Sequence, residues 1–211
     1  VVLGPLAKRV PEAAVKSLTK GAGLASWFKK WAAIEEVAIS LYAHECRAIP
    51  GLLQPEPYLR AIFDRRLPHL REEEIEQQVV ARLERLRLMT ERPNSSFSFI
   101  VEQALLERGL GGREVTRAVI ERLLETGAQR NVENLLMPLH QEDHSGFEGP
   151  LYLAETPDHQ WIGYFEGHDS STLLTSPKLA SSMLQRYGKM RSQALNCQAT
   201  VSLLEQRRGA L

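Results

Sequence analysis

The sequence predicts an α+β domain in which N-terminal helices pack on a small, mostly antiparallel sheet with a crossover helix and a C-terminal helical segment. Three observations carry this. Apolar residues recur every three or four positions through most of the first half. The period then drops to two at Phe97, Phe99 and Val101. Finally, "PLYLAET" and "WIGYFEG", both rich in strand-forming residues, flank the polar turn "PDHQ" in the manner of a hairpin.

Taken in order, residues 1–24 read as a helical extension and residues 25–206 as the domain. Within the extension, 11–18 is a short amphipathic start that "KGAG" interrupts. Residues 25–46 read as one long helix, with Phe28, Trp31, Ile34, Ala38 and Leu41 on its apolar side. The Pro50-Gly51 pair ends it, because proline presets φ for a turn and glycine tolerates positive φ next to it. On this reading Gly51 has positive φ, and the elbow buries Leu52 or Leu53. Proline is favoured in a first helical turn, so a helix begins near Glu56 or Pro57 and covers 58–66.

A third helix spans 71–91 on Ile75, Val79, Leu83, Leu86 and Met89, leaving Arg82, Arg85 and Arg87 on a charged, solvated face paired with glutamates. A strand from Phe97 then runs into a short helix or turn, and "GLGG" interrupts the chain. Residues 113–129 form an amphipathic helix, 132–140 an apolar strand, and 176–206 a helical region with a break near Asn196.

Composition removes several classes of function. Twenty-six basic residues balance 26 acidic ones in 211, whereas a duplex-binding domain clusters basic residues against phosphates. No nucleic-acid binding by this chain is expected. Cys46 and Cys197 show neither a CxxC nor a disulfide-scaffold pattern, which fits a reducing cytoplasm. No stretch of about 18 apolar residues suggests a membrane span.

Motifs with strong chemistry are absent. The glycine run matches neither a P-loop nor a dinucleotide fingerprint, and no GxSxG elbow occurs. His140 and His144, with Glu142 and Asp143 between them, lack zinc-ligand spacing and read as a solvated loop, as does the group Glu166, His168 and Asp169. No metal and no cofactor are expected. Glu166 ends an aromatic strand, where it is either exposed or turned inward to meet a cation. Trp27, Trp31, Trp161, Phe28, Tyr42 and Tyr58 suit either a core or a ligand pocket.

The segments "WFKKWAAIEEVAISLYAHECRAIPGLLQPEPYLRA", "RLERLRL", "VEQALLERGLGG", "RNVENLLMPLHQEDHSGFEGPLYL" and "YFEG" together resemble, in order and spacing, the C-terminal domain of actinobacterial XRE-type helix-turn-helix regulators. That domain is of unknown function and is also described as antitoxin-like. The sequence departs from the family pattern at Pro55, where the family has threonine, at Leu86, where it has glutamine, and at Val101, where it has an acid. Only 26 residues precede Trp27, too few for the DNA-binding module.

The resemblance implies an effector domain that binds a small molecule or a small partner protein, with a homodimer as one allowed assembly. The alternative it implies is a stand-alone enzyme that acts on a natural-product intermediate by acid–base and positioning catalysis. The motif-bearing segments place a pocket between the sheet and the N-terminal helices. Its lining is Trp31, Leu53, Tyr58, Trp161 and Tyr164, with Glu102, Glu166 and Arg82 as the polar set. Any catalysis then falls to Glu166 or Glu102.

Overall fold

The structure is a computed structural model that describes residues 28–167 and 171–211. The expected N-terminal extension, Trp27, His168 and Asp169 lie outside the described residues. The chain runs α1 (Lys29–Val37), β1 (Ser40–Glu45), a 3-10 turn (Gly51–Leu53), α2 (Glu56–Phe63), α3 (Glu72–Arg85) and the single turn α4 (Leu88–Glu91). It continues through β2 (Ser96–Glu102), α5 (Gln103–Glu107), α6 (Arg113–Gly127), β3 (Val132–Met137), β4 (Leu151–Glu155), β5 (Trp161–Glu166), β6 (Ser171–Leu174), α7 (Pro177–Gln193) and α8 (Cys197–Ala210).

The α+β class holds, but the sheet is larger than expected. Six strands lie in the order β3-β2-β1-β4-β5-β6. The pairs β1–β2 and β2–β3 are parallel, and the other three are antiparallel.

The expected helix over 25–46 is overturned: it stops at Val37 and the chain becomes the central strand β1. Leu41 and Ala43 pack on one face of the sheet, while Tyr42 packs on the other. A strand covered on both faces lacks the apolar–polar alternation that would announce it.

Two apolar layers sandwich the sheet. On one face Phe97, Phe99, Val101, Ala154 and Tyr164 meet Trp31 and Ile34 of α1, Val119, Ile120 and Leu123 of α6, and Leu204 of α8. On the other, Ile100, Leu135, Leu151 and Leu153 meet Met183, Tyr187 and Met190 of α7. Helix α3 lies outside α2, joined to it through Leu59, Phe63, Ile75 and Val79.

Asn196 ends the break expected there by accepting the Ala199 N–H at 2.9 Å, which caps α8. The "GLGG" run turns through positive φ at Gly109, Gly111 and Gly112, a region L residues avoid. Gly51 does not share that conformation, so the positive φ expected there is overturned: the residue starts the 3-10 turn after an extended Pro50. The turn nevertheless buries both Leu52 and Leu53. Among the described residues, no helix is long and apolar enough to cross a membrane.

Candidate functional site

Strands β1, β2 and β5 point the same way, because β4 runs antiparallel to both β1 and β5. Each of the three ends in a glutamate, Glu45, Glu102 or Glu166, so three carboxylates gather at one end of the sheet. Crevices beyond the carboxyl ends of parallel strands are where open sheets commonly bind ligands. The period-2 geometry of a strand sends Glu45 and Glu166 to the α1 face and Glu102 to the α7 face.

On the α1 face, Trp31 stacks on Tyr164 with centroids 4.9 Å apart, and Tyr152 meets both rings edge-on. Charges are set into this aromatic bed. Glu35 accepts the Trp31 indole N–H at 2.7 Å and pairs with Arg85 at 2.5 Å, and the Arg85 guanidinium also lies 4.5 Å from the centre of the Phe28 ring.

Glu45 takes the Tyr152 hydroxyl at 2.6 Å on one oxygen and the Cys46 and Arg47 N–H groups on the other. Burial, with the Glu45 charge beside it, pushes the Tyr152 phenol well above its ordinary range. The Cys46 thiol is likewise pushed up, by burial and then by Glu45 and Glu102, so it is a poor nucleophile.

Arg82 is held differently. Its Nη1 donates to Gln54 Oε1 at 3.2 Å, its guanidinium lies 5.1 Å from the Phe63 ring centre, and no carboxylate pairs with it among the described residues. Burial, reinforced by the like charge of Arg85 and opposed only in part by the Glu166 carboxylate, pulls its pKa down to about 10. The elbow explains this geometry. Gln54 donates to the Ile49 carbonyl at 2.5 Å, and the Tyr58 hydroxyl accepts the Ile49 N–H at 3.1 Å, so the proline-bounded loop aims Gln54 at Arg82. The solvated face expected for these arginines survives only at Arg87, which is exposed and pairs with Glu36 and Glu91.

On the α7 face, His44 Nε2 and His144 Nε2 both lie 2.7 Å from the same Glu102 oxygen. His44 is completely buried and its Nδ1 has no partner, whereas His144 is a quarter exposed. One ligand atom from each of the three residues falls within 4.8 Å of the others, a spacing that could hold a metal ion. His140, weighed with His144 in the sequence, is exposed and takes no part.

The structure therefore divides the residues singled out in the sequence. Trp31, Leu53, Tyr58, Arg82, Tyr164 and Glu166 share the α1 face, where Trp31, Leu53, Tyr58 and Tyr164 are buried in the core. Trp161 and Glu102 are on the α7 face, and Trp161 packs on Tyr42 with centroids 5.1 Å apart. Sequence reasoning missed Glu35, Glu45, Gln54, Tyr152 and His44, and it gave Arg85 and His144 only solvated places. Only "YFEG" and the proline-bounded elbow pointed near them.

A model of the domain of unknown function DUF5753 matches residues 28–206. The chain belongs to that family. Neither curated proteins nor solved structures contain a match to it. The matched span of the DUF5753 domain takes in the whole sheet and both groups of polar residues.

Proposed function

We propose that this DUF5753 domain is a ligand-binding effector domain, related to those of XRE-type regulators, and that it takes a small molecule bearing a carboxylate or similarly compact anion at Arg82. One observation carries the reading: a desolvated guanidinium that has no ion-pair partner among the described residues and whose charge the nearby Glu166 carboxylate offsets only in part. A half-buried cation without an ion-pair partner is costly, and an anionic ligand removes that cost. The half-buried Tyr152 beside it, backed by the Trp31 and Tyr164 rings, supplies the apolar surface that ligand sites combine with a few polar groups. In this reading the chain leaves duplex DNA to another module.

A second reading, a stand-alone enzyme with Glu102 or Glu166 as its acid–base group, draws on the two imidazoles at Glu102. The test of the first is a thermal-shift screen with aromatic carboxylates on the wild type and Arg82→Met. A hit should raise the wild-type melting temperature and bind the variant at least tenfold more weakly, about 1.4 kcal/mol. Hits that bind both proteins equally would overturn the reading.

A further inference from the structure

The geometry points to a divalent metal site of the zinc class at His44, Glu102 and His144. It lies on the opposite face of the sheet from Arg82 and stands independently of the effector reading. Two imidazoles and a carboxylate are a ligand set suited to zinc and neighbouring transition metals, and three protein ligands leave a coordination position for water or substrate.

The spacing is close to what such an ion needs. Tetrahedral zinc with bonds of about 2.0–2.1 Å sets its ligand atoms about 3.3 Å apart. Here both Nε2 atoms are 2.7 Å from Glu102 Oε1, and the three ligand atoms lie within 4.8 Å of one another. Widening the two nitrogen–oxygen separations from 2.7 Å toward the tetrahedral spacing opens the group around an ion.

The site is built by the fold. His44, the residue before the last of β1, and Glu102, the last of β2, lie at the same end of these neighbouring parallel strands, whose register pairs His44 with Ile100. His144 comes from the β3–β4 loop, which α7 clamps at several points. Gln193 donates to the Asp143 carbonyl at 2.5 Å and accepts the Ser145 N–H at 3.1 Å, while Arg186 bonds to the Gly149 carbonyl at 2.9 Å and to Glu148 at 2.7 Å. Gly146 completes the enclosure, since a Cβ there would come within 2.7 Å of His44 Cε1.

The protons specify what changes on binding. Gly146 N–H donates to His144 Nδ1 at 2.7 Å, so the neutral ring carries its proton on Nε2, aimed at Glu102. A metal bound through Nε2 requires that proton on Nδ1 instead, which breaks the Gly146 bond and shifts the turn around residue 146. His44 makes the same exchange with no bond at Nδ1 to break, because that atom has no partner in the metal-free site. The loop is therefore the part that moves, and His144, its more exposed ligand, marks the open side.

The experiment is competition with a chromophoric chelator for Zn2+ on the full chain, with Co2+ absorption and the Gly146 amide resonance as second readouts. One ion should bind per chain. His144→Ala and Glu102→Gln should each weaken binding at least 100-fold, with His140→Ala and Cys197→Ser unchanged. The Gly146 amide should shift in wild type alone. His144→Ala alters a loop and Glu102→Gln keeps its shape, and matched metal-free melting curves establish that both fold. Wild-type affinity no tighter than that of His144→Ala, or an equal loss in His140→Ala, would overturn the site.

Discussion

On the α1 face of the sheet, buried charges meet groups of opposite charge or a phenol, Glu35 with Arg85 and Glu45 with Tyr152, and Arg82 is the exception. On the α7 face the buried polar groups are a hydroxyl pair and two imidazoles on one carboxylate, with no arginine or lysine among them. The Tyr187 hydroxyl donates to Ser98, and two imidazoles share one carboxylate oxygen. The difference separates polar groups that hold the fold together from those the fold leaves available. A pair satisfied on both sides is structural, whereas a half-buried cation held by an amide and a ring without an ion-pair partner, or two rings crowded on one oxygen, has capacity left over.

The largest effect that would sharpen this contrast is Arg85→Met. It strands Glu35 in the core, and urea unfolding should show a loss of about 3–5 kcal/mol. Tyr152→Phe removes a bond to a charged acceptor, and the same measurement should give about 1.5–3 kcal/mol. Its counterpart on the other face, Tyr187→Phe, breaks bonds between neutral groups and should cost only about 0.5–1.5 kcal/mol. Equal losses in the two tyrosine variants would break the comparison. The smallest effect belongs to Gly51→Ala, whose new Cβ would meet Arg85 Nη1 at an ordinary 3.5 Å, so its melting temperature should reflect less than about 1 kcal/mol.

Much of the fold was legible because its signals are local. The hairpin β4–β5, helix α6, the turn at "GLGG" and the break at Asn196 each follow from periodicity or turn chemistry within a few residues. Strand β1 was hidden because both of its faces are covered, and short β6 escaped as well. Losing β1 hid the sites. His44 and Glu45 were absorbed into a supposed helix, so Glu102 seemed to belong with the α1-face residues, and His144 had only exposed His140 for company. The convergence of His44, Glu102 and His144 depends on strand register across 100 residues, which no local spacing encodes. Trp161 was misplaced by a simpler error, since adjacent strand positions alternate faces and Trp161 is an odd number of residues from Tyr164.

The contrast between Arg82 and Arg85, one turn apart on α3, tests the account most directly through the unfolding free energy of Arg82→Met. If Arg82 is a desolvated cation that Glu166 offsets only in part, the variant should be more stable than wild type at pH 7, by on the order of 1 kcal/mol. The advantage should also depend on pH. Burial holds the folded-state pKa of Arg82 at about 10, below that of a free arginine side chain. Between these values the unfolded chain holds the proton and the folded one does not, so wild-type stability rises with pH and the gap to the variant closes. A stabilised variant at pH 7 whose advantage shrinks above pH 10 is the predicted result. A variant destabilised like Arg85→Met would show that Arg82 already has its counter-charge, and would contradict its assignment as the anchor for an anionic ligand.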